Sequence, residues 1–284
     1  MAADPVSRWT IRPFRTHQDY EACIALQEAT WGTGFSERVP MALMIVSQRL
    51  GGVAAGAFDE DGSLAGFIFG LSGIENGSPV HWSDMLAVRT DCRGRGLGIR
   101  LKSYQRDMVL EKGIRRMYWT FDPLESQNAY INLARLGIVA REYVENMYGQ
   151  TDSPLHRGIG TDRFVALWQL DAPRVERRLA EEESPPAIDE LAGVPRVLDG
   201  TPASPSGWPE PETREASRAD QVLAAIPSSI QALKAATPEL AARWREATRS
   251  VLQSYLSNGY EVCELIRGAR VSHYLLRRIE EMKP

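Results

Sequence analysis

Residues 93–98 read Arg-Gly-Arg-Gly-Leu-Gly, three glycines alternating with two arginines and a leucine. A glycine-rich turn entering a helix gathers several main-chain N–H groups around one point with no Cβ in the way. The helix N-terminus adds partial positive charge at the same place. The chemistry this suits is the binding of phosphate oxygens. Gly94, Gly96 and Gly98 let an anion approach the main chain, and Arg93 and Arg95 add point charge. From Arg93 to Arg116 there are eight basic residues and two acidic ones, a local +6 in a chain of formal net charge −4. A confined basic patch on an acidic protein suits a small anionic ligand better than nucleic acid, which needs a broader basic face with interleaved aromatics. The plain alternative is a solvated helix face. The spacing departs from the dinucleotide fingerprint GxGxxG and from the phosphate loop GxxxxGK[ST].

The elements around this turn follow from hydrophobic period. Residues 9–14 predict a short strand, 18–28 and 40–50 two helices, and 52–58 with 64–71 a hairpin turning at residues 59–62. Residues 81–88 predict another strand, with Trp82, Asp84, Leu86 and Val88 on one face. After the glycines, Leu97, Leu101, Tyr104 and Met108 recur on one side of a helix that ends at Gly113. A fifth strand over 116–122 stops at Pro123. Ser126 then caps a helix running to Leu136, with Gly137 after it. Two last strands lie over 139–148 and 164–170.

Leu86-Ala87-Val88, a short loop, and Arg93-Gly94-Arg95-Gly96-Leu97-Gly98 at a helix start resemble the acyl-coenzyme A signature of the GNAT superfamily of N-acyltransferases. The order of elements from Trp9 to Leu170 is similar too. The resemblance implies an α/β fold with a mixed, mostly antiparallel central sheet, flanking helices and a splay between the fourth and fifth strands. The pantetheine arm of acetyl-coenzyme A, or of another acyl-coenzyme A, enters that splay. Leu86, Ala87 and Val88 then offer main-chain groups to pantetheine, Arg93–Gly98 hold the diphosphate, and Asn128 contacts the cofactor. Asp84 lies where many members keep a general base. The acid that protonates the thiolate is a tyrosine in many members, at the position held here by Leu133. Tyr130 is the substitute on the same helix, with Tyr143 and Tyr148 nearby. Asp122, His156 and Asp162-Arg163, with Trp31 and Phe35, are candidates for the acceptor side. Residues 119–126, 128–137, 161–163 and 243–246 also resemble a bacterial subgroup of GNAT-like predicted acyltransferases.

The expected activity is therefore acyl transfer to a primary amine of a small molecule or peptide. The alternative from another class is a non-catalytic acyl-coenzyme A-binding or regulatory module. The GNAT-like domain is expected over 8–171. Seven of the 17 prolines fall between Pro185 and Pro211, which predicts a linker over 172–225. A small C-terminal α/β extension over 226–284 follows, with a helix opened by Thr237-Pro238 whose face of Leu240, Trp244, Val251 and Tyr255 must be buried. It is expected to pack on the main domain or on a second subunit, as a homodimer would allow. Cys23, Cys92 and Cys263 form no pair by spacing, and the four histidines are scattered. These features predict reduced thiols, no metal centre and a cytoplasmic location. No apolar run reaches membrane-spanning length and no signal-peptide core opens the chain, so no membrane partner is expected.

Overall fold

The computed structural model describes residues 9–149, 158–201 and 207–279. The chain divides into two compact units. One comprises the residues up to Trp119 with Gln169–Asp171, the other Thr120–Trp168 with the residues from Ala172 onward.

In the first unit β1 (Thr10–Pro13), β2 (Val53–Phe58), β3 (Leu64–Glu75) and β4 (Ser78–Val88) form an antiparallel meander. β5 (Arg116–Phe121), whose residues up to Trp119 belong to this unit, runs parallel to β4 there. Alternation along β3 sorts its side chains between two faces. Phe67 and Phe69 are buried in a cluster with Cys23 of α1 (His17–Trp31) and Met44 of α2 (Met41–Arg49). Gly66 and Gly70 point the other way, toward α3 (Leu97–Leu110). A Cβ at Gly66 would lie 2.9 Å from the Ala87 carbonyl, and one at Gly70 would lie 2.3 Å from His81 Nε2. These glycines weaken the strand by propensity but permit close approach.

The start of α1 is fixed by Thr16, whose hydroxyl accepts from the Asp19 N–H at 3.2 Å, while Asp19 accepts from the Thr16 N–H at 3.2 Å. This reciprocal cap satisfies two donors the helix leaves unpaired. Arg12 donates to both Asp19 oxygens, at 2.8 and 3.0 Å. That ion pair holds the Asp19 carboxyl down at about 2.

Periodicity predicts Leu97, Leu101, Tyr104 and Met108 as the inward face of α3. The buried residues are instead Leu97, Leu101, Lys102, Gln105 and Val109. The stripe is turned because β4 presents polar groups to the helix. Gln105 Nε2 meets His81 Nε2 at 3.0 Å, and Lys102 Nζ donates to Ser83 Oγ at 2.8 Å.

In the second unit, β6 (Val139–Val144) pairs antiparallel with β7 (Arg163–Gln169) and meets β11 (Tyr260–Ile266) at Ala140↔Val262. The order continues through β12 (Val271–Arg278), β10 (Gln221–Pro227), β8 (Arg196–Gly200) and β9 (Pro211–Thr213), with β8 parallel to β10. The stretch 172–225, expected as a linker, thus carries α5 (Pro173–Leu179), β8, β9 and the start of β10. Its prolines punctuate short elements: Pro173 lies in the first turn of α5 and Pro211 opens a three-residue strand. Both are places where a missing N–H costs little.

α6 (Ile230–Ala236) leads into α7 (Pro238–Ser257), which buries Leu240, Trp244, Val251 and Tyr255. Pro238 occupies the first turn, but the Thr237 side chain makes no capping bond. The helix predicted from Ser126 to Leu136 is α4 (Ser126–Tyr130) followed by a π-helical turn, Ile131–Arg135. Ser126 does not cap it; its hydroxyl bonds that of Ser272 at 2.8 Å. Among the described residues no helix is long and apolar enough to cross a membrane.

Candidate functional site

The glycine turn is held from behind and open in front. Arg89 bonds Asp59 at 3.0 Å and Asp91 at 2.7 Å, anchoring the short 3-10 turn Thr90–Cys92. Arg93 Nε donates to the Val88 carbonyl at 3.0 Å, tying the turn to the end of β4. Gly94 and Gly96 have φ of +74° and +77°, and Gly96 is the N-cap of α3. This left-handed backbone is one that glycine adopts freely and other residues adopt at a cost. A Cβ on either would meet nothing within 4 Å, and residues 93–96 are all exposed. Leu97 is buried beneath and anchors the first turn of α3. The result is a bare concave stretch of main chain at a helix N-terminus, flanked by Arg93 and Arg95, and it fits a diphosphate.

β4 and β5 pair in parallel at His81↔Met117 and Trp82↔Tyr118. Beyond these residues β4 runs on to Val88 with no further pairing to β5 among the described residues of this unit. Leu86, Ala87 and Val88 thus have main-chain groups along the unpaired edge of β4. A β-bulge lies at the point of divergence: Phe69 pairs with Met85 and Gly70 with Ser83, so Asp84 is the extra residue. The bulge overturns the expectation that Trp82, Asp84, Leu86 and Val88 share a face. Before it, odd-numbered His81 and Ser83 meet α3. After it, even-numbered Leu86 lies 3.8 Å from the position of a Cβ on Gly98, and Val88 adjoins Gly66 beside Leu101.

Asp84 remains open to solvent although protein surrounds it, as on the wall of a recess. Desolvation raises its carboxyl above the usual aspartate range, and the charge of Glu37 adds to the shift. A carboxylate raised in this way is a better proton acceptor near neutral pH. Trp31 and Phe35 stack at 5.4 Å in the same α1–α2 segment, and Trp31 packs edge-on to Phe67 at 6.3 Å.

Sequence reasoning missed the buried polar cluster behind β4. His81 is completely buried, with Nδ1 3.0 Å from Ser72 Oγ and Nε2 3.0 Å from Gln105 Nε2. The glutamine amide is a donor, so the ring proton is assigned to Nδ1. Burial pushes His81 down to about 3. Lys102 Nζ also lies 3.6 Å from the centroid of the Trp119 ring. Burial lowers this lysine well below its ordinary value.

The remaining candidates belong to the second unit. Tyr130 lies with the Arg267 guanidinium 5.2 Å from its ring centroid, and exposed Asn128 accepts from Asn132 at 3.5 Å. Leu133 is fully buried. Tyr143 donates to Asp162 at 2.6 Å, and burial raises its phenol strongly. Tyr148 shares a hydrogen bond with Thr120 at 2.8 Å. Asp122 is engaged by Arg245, at 2.8 and 2.7 Å, and by Arg163 at 3.7 Å. It neutralises a buried guanidinium in place of the amine-binding role considered for it. Asp162 receives Arg249 at 2.8 and 3.0 Å. The stretches around Asp122, Asp162 and Arg245, separate in sequence, therefore meet in one ion network. His156 lies outside the described residues. Among the described residues no cluster of three or more His, Cys, Asp or Glu could hold a metal ion.

Residues 27–138 match the model of the acetyltransferase (GNAT) family. No curated protein matches the chain. Among solved structures, yncA of Salmonella typhimurium, with its cofactor acetyl-CoA, is similar at 20% identity over 58% of this chain and 95% of that one, with a TM-score of 0.46. The ribosomal-protein-S18-alanine N-acetyltransferase of Escherichia coli is similar at 15% identity over 58% and 95%, with a TM-score of 0.45. Ard1 of Thermoplasma volcanium is similar at 20% identity over 56% and 96%, with a TM-score of 0.42.

Proposed function

Across residues 27–138 this chain belongs to the GNAT acetyltransferase family, enzymes that move an acyl group from acyl-coenzyme A to an amine, and we propose how its own residues do so. The observation that carries the reading is the divergence of β4 from β5 beyond Trp82↔Tyr118, next to the open glycine turn at the far end of β4. The main-chain amides of Gly94–Gly98 and the charges of Arg93 and Arg95 hold the diphosphate. The free edge of Leu86–Val88 pairs with the amides of the pantetheine arm.

From Val88 back to Ser83 the strand covers about 16 Å at roughly 3.3 Å per residue. This is comparable with an extended pantetheine arm, so the thioester comes to rest level with the bulge. Asp84 is there. We assign it the proton of the incoming amine, which must be neutral to attack. The acidic pair Asp84 and Glu37 attracts a cationic amine to that side, and Trp31 and Phe35 offer it an aromatic surface. The acceptor class is a primary amine of a small molecule or peptide, and the location proposed is the cytoplasm. The roles of Tyr130 as acid and Asn128 as cofactor contact rest on the resemblance alone; turnover of Tyr130→Phe tests the first.

The deciding experiment titrates coenzyme A into the full-length protein by calorimetry and then follows thiol release from acetyl-coenzyme A with a panel of primary amines. Saturable binding with amine-dependent thiol release is the expected result. Absence of binding would overturn the assignment.

A further inference from the structure

Lys102 is the one buried amine among the described residues, and the proposed cofactor route leads toward it. It is 8% exposed, and none of its contacts is a carboxylate. An ammonium buried with no carboxylate beside it is costly; the Ser83 hydroxyl and the Trp119 ring face offset only part of that cost, and giving up the proton removes it. The uncharged amine donates one N–H to Ser83 Oγ and keeps a lone pair. That is the chemical form in which an amine attacks a thioester, and desolvation is a recognised way to make a lysine nucleophilic.

Its position is equally specific. Trp82 and Tyr118 are the last paired residues of β4 and β5, and the next residue on each strand is Ser83 and Trp119. Lys102 contacts both, at 2.8 Å from the Ser83 hydroxyl and 3.6 Å from the Trp119 ring centroid. It therefore sits at the vertex of the divergence. Ser83 also adjoins Asp84, the residue beside which the proposed function brings the acyl group to rest.

We propose that Lys102 is a self-acylation site: with acyl-coenzyme A bound and no external amine present, the enzyme transfers the acyl group to its own Lys102 Nζ. The inference rests on the proposed route of the arm between β4 and β5. In the step the Nζ lone pair forms a C–N bond to the acyl carbonyl carbon and the C–S bond breaks. The electron pair stays on sulfur, and the Nζ proton passes to the thiolate. The products are an acyl-lysine amide and free coenzyme A thiol, and no further reactant is needed. An amide does not return its acyl group, so the modification persists and leaves an amide in place of the nucleophilic amine at the vertex.

The test uses the unmodified full-length protein, which has four lysines: Lys102, Lys112, Lys234 and Lys283. It is incubated with acetyl-coenzyme A without amine and mapped by peptide mass spectrometry, alongside calorimetry with coenzyme A. Lys102 is expected to gain one acetyl group before exposed Lys112 does, and Gly96→Val is expected to slow this at least tenfold. In the ligand-free protein the ¹⁵N resonance of Lys102 Nζ is expected to report an uncharged amine at pH 8. Binding of coenzyme A with Lys112 modified and Lys102 untouched would overturn the proposal and leave the proposed function standing. So would an ammonium resonance at pH 8, or equal labelling of Lys102 in Gly96→Val. No binding of coenzyme A at all would overturn both readings.

Discussion

Replacing Lys102 by methionine keeps the length of the side chain and removes its ionisable group, and the consequence for stability depends on pH. In the unfolded chain the lysine titrates at its ordinary value of 10.5, whereas burial lowers it in the folded protein. The unfolded state therefore binds more protons between the two values, and stability of the native protein rises with pH through that range. Between the two values folding releases a proton that the unfolded chain holds, and the cost grows by about 1.4 kcal/mol for each pH unit below 10.5 until the lowered folded-state value is reached. Lys102→Met removes that cost and leaves the Ser83 hydroxyl without its 2.8 Å partner, which costs about 1–3 kcal/mol. The two effects oppose each other below pH 10.5. By pH 10.5 only the lost hydrogen bond remains, so the variant is then less stable than the native protein. Urea denaturation of both proteins at pH 8, 9 and 10 reads this directly. Their stability difference should change by about 1.4 kcal/mol per pH unit. A difference that does not vary with pH would mean that Lys102 stays charged in the fold and would refute the reasoning.

Gly96→Val puts a β-branched side chain at φ +77°, and coenzyme A affinity by calorimetry should fall by at least about tenfold in a protein that still unfolds cooperatively. Asp84→Asn should lower kcat about 10²-fold and leave coenzyme A binding nearly unchanged; the native acid limb in a pH–rate profile should lie above the usual aspartate range, as its desolvation requires. Asp19→Ala removes the side-chain half of the reciprocal cap of α1 and the partner of Arg12, and should cost about 2 kcal/mol in urea denaturation. His81 is held neutral down to about 3, so stability should fall as pH drops below its unfolded value of 6.5, and a His81→Gln variant should lose part of that acid slope.

The elements of the N-terminal unit could be read because its apolar runs are bounded by ordinary turn residues, although β2 is buried along all six of its residues and so shows no alternation. The glycine turn was legible for the same reason: its residue types have few uses at a strand-to-helix junction. What escaped was phase. A single extra residue at Asp84 moves Leu86 and Val88 onto the face that His81 and Ser83 occupy before it, and no local pattern in the sequence announces a bulge. Lys102 was hidden by the same cause. It counts as one of eight basic residues around the glycine turn, and only the polar face of β4 explains why the helix turns it inward. The prolines of 172–225 misled in another way, since they mark breaks between short strands as readily as the absence of strands. The ion network of Asp122, Asp162 and Arg245 joins residues 123 positions apart, a pairing that spacing along one chain does not reveal.

Thiol release from acetyl-coenzyme A, followed continuously with and without a primary amine, tests the central claim most directly. The native protein should release thiol in step with amine concentration, Gly96→Val should need far more acetyl-coenzyme A to do so, and Asp84→Asn should bind the cofactor yet turn over slowly. A native protein that binds coenzyme A but releases no thiol with any amine across pH 6 to 9 would contradict it.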